Sequence, residues 1–273
     1  GLSSPVQTQD FGLLFSQAAG AGPPLYILHG LFGSSDNWRT VAKPLTAHYT
    51  VHFVDLRNHG RSFHSPVHDY PAMADDVLGL LQAHGAAPAV LLGHSMGGKV
   101  AQAVAARQPA RVERLIVADM GVRAYSPHHA QVLAALEALP AARIESRQQA
   151  ESALTERLGG DAVTAQFLLK SLYRPEAGGF AWRFHFPAIQ ANYGKIIGAA
   201  LAPGSRYEGP TLFIRGGASS YVQDEALPGI QAHFPNLTVE TLPGAGHWLH
   251  AEQPAAFMAA LLRWLGKPAP MAP

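Results

Sequence analysis

The chain contains no cysteine. That excludes disulfide frameworks, cysteine-ligated zinc, iron–sulfur clusters and thiol catalysis. Charge is scarce: only 14% of residues are Asp, Glu, Lys or Arg, and 20 basic residues stand against 19 acidic ones, for a net charge of +1. With no excess of positive charge to displace counterions, nucleic-acid binding is not expected. No apolar run approaches the roughly 20 residues needed to span a bilayer, so no membrane partner is expected. Residues 1–10 are polar, with neither a basic region nor an apolar stretch, and do not read as a signal peptide. Internal repeats and low-complexity linkers are also lacking. The expectation is a soluble, cytoplasmic protein.

What is present is a large apolar fraction, 48%, and 27 glycines among 273 residues. Short apolar runs recur, each followed by a turn and then a helical pattern. They are Leu25–Leu28, Thr50–Val54, Ala89–Leu92, Leu115–Ala118, Thr211–Ile214 and Leu237–Leu242. The first five are nearly continuous, as strands buried on both faces of a parallel sheet must be. Helices are predicted over residues 36–47 (with Asp36 as N-cap), 71–84, 96–107 and 252–265. The alternation predicts a mostly parallel, doubly wound α/β sheet, with an antiparallel edge hairpin around Phe11–Ser16. In such sheets ligands bind at the carboxyl ends of the strands, so function is expected in the turns.

The alternation breaks once. From Gly121 to about Tyr207 the pattern is helical, at Val132–Leu139, Ala150–Leu158 and Ala162–Leu172, with no convincing strand. Such a stretch is too long for a simple connection. It predicts a helical cap, residues 121–207, inserted into a core domain made of residues 1–120 and 208–273.

Gly93-His94-Ser95-Met96-Gly97 is a Gly-x-Ser-x-Gly sequence between a buried strand and a small-residue helix. This context holds a serine in a strained elbow with its hydroxyl exposed, at a helix N-terminus that favours negative charge. Ser95 is therefore the candidate nucleophile; a serine in an ordinary capping turn is the plain alternative. Gly93 to Lys99 also fits the phosphate-loop pattern Gly-x-x-x-x-Gly-Lys, and Leu115 to Asp119 mimics a strand ending in a magnesium-binding aspartate. The next residue, however, is Val100, where that loop requires a hydroxyl for the metal. After the first apolar run, His29-Gly30-Leu31-Phe32-Gly33 supplies a turn whose backbone N–H faces the elbow. Leu31 is the expected oxyanion donor, with Phe32 the fallback and Met96 the second donor.

Most of the 14 histidines must be inert. His128, His129, His64 and His68 read as solvated loop residues, His250 as structural and His94 as packing. His247 lies in Pro243-Gly244-Ala245-Gly246-His247-Trp248, after the last strand and before the last helix, at the sheet edge that carries Ser95. It is the candidate base. Its carboxylate partner is less obvious. The turn Arg215-Gly216-Gly217-Ala218-Ser219-Ser220 contains no acid. Asp119 ends the preceding strand, next to the elbow, where a charge needs a partner. It is favoured over Asp224, which lies further along the loop, and Ser219 then becomes an auxiliary hydrogen-bonding residue. Phe32, Trp182, Phe184, Phe186, Tyr193 and Trp248 are candidates for an apolar substrate pocket, or for packing of cap on sheet.

The stretches HGLFGSSDNW, VDLRNHGRS, GHSMGGKVA, RLIVADM, FIRGG and GAGHWLHAEQP together resemble the α/β-hydrolase family, in the family's order and across nearly the whole sheet region. The usual family position for the acid is the turn after the next strand. Asp119 with Ser219, and the stretch WRFHFPAIQANY at residues 182–193, resemble a narrower branch of small bacterial serine esterases related to a mitochondrial α/β-hydrolase. The resemblance implies the α/β-hydrolase fold and esterase or acyl-thioesterase activity, including on acyl-CoA. The partner expected is thus a small acyl ester or thioester, with no cofactor and no metal. Haloalkane dehalogenases and epoxide hydrolases of this fold attack with a carboxylate, which a serine elbow excludes. Lactonase, amidase, perhydrolase and carbon–carbon bond hydrolase remain open on the same constellation, as does a non-catalytic binding module.

Overall fold

The computed structural model describes residues 12–85 and 87–270. Its centre is a seven-stranded sheet. The strands are β1 (Ser16–Ala19), β2 (Pro24–Leu28), β3 (Thr50–Val54), β4 (Ala89–His94), β5 (Val112–Ala118), β8 (Thr211–Gly216) and β9 (Leu237–Leu242), in the spatial order β1-β3-β2-β4-β5-β8-β9. All pairings are parallel except that of β1 with β3. The sheet is the expected mostly parallel α/β arrangement. Its antiparallel edge differs in detail. The strand is Ser16–Ala19, a few residues later than expected, and it lies on β3 instead of forming a hairpin with β2. Phe11 lies outside the described residues.

Every residue of β4 is buried. Its successive side chains face opposite layers, as strand geometry requires. Leu91 joins Leu28 and Val117 under helices α1 (Tyr70–His84) and α2 (Met96–Arg107), through Val77, Leu80, Val100 and Val104. Leu92 joins Ile27 and Ile116 on the other face, under Phe257 and Leu261. The two layers explain why the central strands read as unbroken apolar runs.

Between β5 and β8 the chain forms α3 (Ala130–Ala138), α4 (Arg147–Arg157), α5 (Ala162–Leu169), α6 (Phe186–Ala191) and α7 (Tyr193–Ile196). It also forms a two-stranded ribbon, β6 (Leu172–Tyr173) with β7 (Ala181–Trp182), where no strand is expected from the sequence. Helices α8 (Leu227–His233), α9 (Leu249–Glu252) and α10 (Pro254–Trp264) complete the chain. The helix predicted over residues 36–47 is instead two 3₁₀ turns, Ser35–Asn37 and Lys43–Ala47. Ser34, not Asp36, caps the first turn, and Pro44 removes a backbone donor that a continuous helix would need. Among the described residues no helix is long and apolar enough to cross a membrane.

Candidate active site

The carboxyl ends of β4, β5 and β8 lie side by side, and the hydrogen-bond ladder continues past them. The Ser95 N–H donates to the Ala118 carbonyl at 3.2 Å, and the Asp119 N–H donates to the Ile214 carbonyl at 2.7 Å. Ser95 thereby enters the turn before α2 at φ 56° and Asp119 leaves β5 at φ 47°. Positive φ is unfavourable for residues with a Cβ and persists where surrounding structure enforces it. At Ser95 the tight turn depends on its glycines. A Cβ on Gly97 would land on the Leu28 and His29 carbonyls, and one on Gly93 would land on Gly97.

Three side chains meet at this rim. His247 Nε2 lies 2.9 Å from Ser95 Oγ, and His247 Nδ1 donates to Asp119 Oδ2 at 2.7 Å. The carboxylate accepts, so the proton sits on Nδ1 and Nε2 is left to accept from the serine hydroxyl. The Asp119 side chain has no solvent exposure, against 22% for His247. Its burial is offset by two further donors: the Gly216 N–H reaches Oδ1 at 3.0 Å and the Ser219 hydroxyl reaches Oδ2 at 2.5 Å. Asp224 is not brought to this point. It is 80% exposed and pairs with Arg215 at 2.7 Å.

His94 is buried, and burial, with His247 nearby, pushes its pKa down to about 3. Its Nε2 donates to the His247 carbonyl at 2.8 Å and so braces the loop. His250 stacks on Trp38 at 4.1 Å. His68, expected in solvent, is wholly buried and bonds to Asn58 at 3.0 Å; its loop folds back under the neighbouring turn. Lys99 is also buried, with Nζ bonded to the Arg123 carbonyl at 2.8 Å and to that of Gly198. That direction leaves no phosphate cradle of the kind the Gly-x-x-x-x-Gly-Lys pattern suggests.

The backbone donors sort themselves. Phe32 stands at φ 64°, and its N–H is taken by His59 Nε2 at 3.0 Å. It is therefore not available as an oxyanion donor, and the fallback fails on this bond. The N–H groups of Leu31 and Met96 have no acceptor among the described residues. Both residues border Ser95, Leu31 in the large cavity and in a small one behind it, Met96 in the small one.

The large cavity holds about 700 Å³ beside Ser95 and His247. Phe32 and Trp248 line it, together with Val132, Val163, Phe167 and Leu168 from the segment between β5 and β8. Phe167 stacks on Trp248 at 4.8 Å. Trp182, Phe184, Phe186 and Tyr193 are not among the lining residues. Phe184 is buried behind Phe32, edge-on at 4.9 Å, and Trp182 stacks on Phe184 at 5.0 Å. Phe186 packs against the core, and the Tyr193 hydroxyl is bonded to His129 at 2.5 Å. Those four serve packing. Phe167 was missed because its position at the cavity depends on how α5 lies over the sheet, which helical periodicity alone does not reveal.

The chain is similar in sequence and fold to known proteins. The chain is 40% identical over 253 residues to a mouse protein named sn-1-specific diacylglycerol lipase ABHD11, covering 89% of this chain and 81% of that one. It is 38% identical over 243 residues to Esterase YbfF of Escherichia coli, covering 89% and 92%. A solved structure described as a marine microorganism esterase superposes with a TM-score of 0.89 at 35% identity, covering 92% of this chain and 98% of that one. The sequence profile of the alpha/beta hydrolase fold matches residues 23–254, from β2 to the start of the last helix. Sheet order, serine elbow and sequence thus converge, and the chain belongs to the α/β-hydrolase family.

Proposed function

We propose that this protein hydrolyses carboxylic esters through a covalent acyl-enzyme on Ser95. The observation that carries the reading is the unbroken relay Ser95–His247–Asp119 opening on an apolar cavity. Ser95 Oγ attacks the ester carbonyl carbon while its proton passes to His247 Nε2. Asp119 keeps the ring oriented and stabilises its charged form, and Ser219 supports Asp119. The carbonyl oxygen becomes an oxyanion held by the Leu31 and Met96 N–H groups. Collapse of the tetrahedral species breaks the carbon–oxygen bond, and the departing alcohol takes the proton from His247. Water then repeats the sequence on the acyl-enzyme, releasing the acid and restoring Ser95.

The segment of residues 121–207 acts as a cap, supplying Val132, Val163, Phe167 and Leu168 as the apolar wall for the acyl chain. Likeness to proteins named esterase and lipase supports an ester as substrate. The same steps serve thioesters such as acyl-CoA, where the leaving group is a thiolate that needs less protonation.

A fluorophosphonate should label the native chain stoichiometrically and the Ser95→Ala variant not at all, with p-nitrophenyl ester turnover lost in parallel. Labelling that persists in Ser95→Ala would place the nucleophile elsewhere. A chain-length series of p-nitrophenyl esters and acyl-CoAs on one preparation then ranks ester against thioester.

A further inference from the structure

Two buried histidines are exchanged between neighbouring loops. His29 follows β2 and His59 lies in the loop after β3; they are 1% and 0% exposed, with ring centroids 5.0 Å apart. Each ring turns Nδ1 toward a carbonyl of its own loop, His29 to Gly30 at 2.8 Å and His59 to Arg57 at 2.9 Å. A carbonyl only accepts, so Nδ1 carries the proton in both rings and Nε2 is left as an acceptor. Each Nε2 is filled from the other loop. The Leu56 N–H donates to His29 and the Phe32 N–H donates to His59, both at 3.0 Å. A third bond crosses in the same place, from the Ser35 N–H to Asp55 Oδ1 at 2.7 Å. Desolvation holds both rings below the ordinary histidine range, so both stay neutral and able to accept.

This clasp bears on the oxyanion site. The Phe32 N–H belongs to the peptide unit that follows Leu31, and Leu31 contributes the neighbouring N–H. Phe32 adopts φ 64°, which a phenylalanine does not hold unaided. On its far side the Phe32 carbonyl accepts from Ser171 Oγ at 3.2 Å, and its ring meets Phe184. The His59 bond therefore pins one peptide plane and takes the Phe32 N–H away from the reacting oxygen.

We propose that His59, with His29 as its reciprocal partner, is a positioning residue: it holds the Leu31–Phe32 turn so that the Leu31 N–H faces the oxyanion formed at Ser95. The inference rests on the acyl-enzyme reading above. Removing one oxyanion donor outright costs about 10²–10³ in rate, so misplacing one is expected to cost about 10–100-fold.

The test compares His59→Leu and His59→Gln with the native chain. Active sites are counted by fluorophosphonate titration, and kcat per titrated site, KM and the affinity of a trifluoromethyl ketone, which adds to serine as an oxyanion, are measured. His59→Leu should lower kcat about 10–100-fold with KM within about threefold, and should weaken the ketone by the same factor as kcat/KM. His59→Gln, whose amide oxygen can accept the Phe32 N–H, should recover most of the loss. Normal kcat per titrated site in His59→Leu, with only fewer sites or a lower Tm, would reduce the residue to a structural role and overturn the proposal. So would a change confined to KM. Failure of the acyl-enzyme reading is separately visible, as turnover or labelling that survives Ser95→Ala.

Discussion

The ring of Tyr221 lies flat against that of His247, with centroids 3.8 Å apart and planes within 13°. The rest of Tyr221 is tied to the same neighbourhood. Its N–H donates to Ser219 Oγ at 3.2 Å, and its hydroxyl meets His128 Nε2. A phenol face over an imidazole stabilises the ring most when it is charged, as His247 is in the proposed mechanism once it has taken the Ser95 proton. Such contacts are worth about 0.5–2 kcal/mol, or roughly 2–30-fold in rate. Tyr221→Leu should therefore lower kcat by about that range, while Tyr221→Phe, which keeps the stack and loses the bond to His128, should stay closer to the native value. Equal losses in both would mean that the hydroxyl, not the ring face, is what matters.

Asp119 and Asp224 are distinguished by their surroundings. Asp119 is enclosed and bonded to Gly216, Ser219 and His247; Asp224 is mostly in water beside Arg215. An amide at residue 119 offers His247 the wrong hydrogen-bond pattern and no charge. Asp119→Asn should lower kcat by about 10³–10⁴-fold, the loss expected when a catalytic histidine is held in the wrong tautomer. Asp224→Asn should stay within about twofold, as exposed ion pairs contribute little. Steady-state kinetics on one p-nitrophenyl ester decides; the opposite ranking would reassign the acid.

The sheet could be read from sequence because β2, β4, β5 and β8 are buried on both faces and so carry unbroken apolar runs. Ser95, His247 and Asp119 could be placed near one another because each follows a parallel strand, and parallel strands end at one rim. Ser95 was further marked by Gly93 and Gly97, where no side chain fits. What the chain does not show locally is what depends on contacts distant in sequence. Phe184 reads equally as a pocket or a packing residue, and its burial behind Phe32, 152 positions earlier, decides for packing. His68 reads as a polar loop residue but is enclosed by Asn58 and His59. Residues 36–47 have helical periodicity, yet Ser34 and Pro44 impose two separate turns. Leu31 is preferred to Phe32 as a donor from sequence, but the bond that occupies the Phe32 N–H comes from His59, 27 positions away.

The buried histidines make stability fall on mild acidification. Burial pushes His94 down to about 3 and His68 to about 4, and holds His59 and His250 well below 6.5. Above about pH 6.5 these rings are neutral both folded and unfolded, so they add no pH dependence. Below it the unfolded chain binds protons that the folded chain refuses, and the unfolded state gains. Stability is therefore lost progressively from about pH 6.5 toward the folded values of about 4 and 3, by about 1 kcal/mol for each such histidine at pH 5.5. Urea midpoints measured from pH 7.5 to 5, above the carboxylate range, should fall steadily. A flat profile would mean that these rings open to water before the chain unfolds.

Lys99 couples the serine helix to both ends of the segment between β5 and β8. It stands in the first turn of α2, four residues after Ser95, and its Nζ donates to the Arg123 carbonyl near the start of that segment and to the Gly198 carbonyl near its end. Among the described residues no carboxylate is bonded to it, and its charge is shared with the faces of Tyr125 at 5.0 Å and Tyr70 at 5.9 Å. Desolvation lowers its pKa to about 8. Lys99→Met preserves the length and the apolar stem but leaves the carbonyls of exposed Arg123 and half-buried Gly198 without their donor, a loss of about 0.5–1.5 kcal/mol for each hydrogen bond. The variant should melt lower, and backbone amides around residues 123–125 and 196–198 should exchange faster with solvent than those of β4 and β5. Lowering of Tm with unchanged exchange in those two segments would show that Lys99 serves the core of α2 alone and does not fasten the chain between β5 and β8.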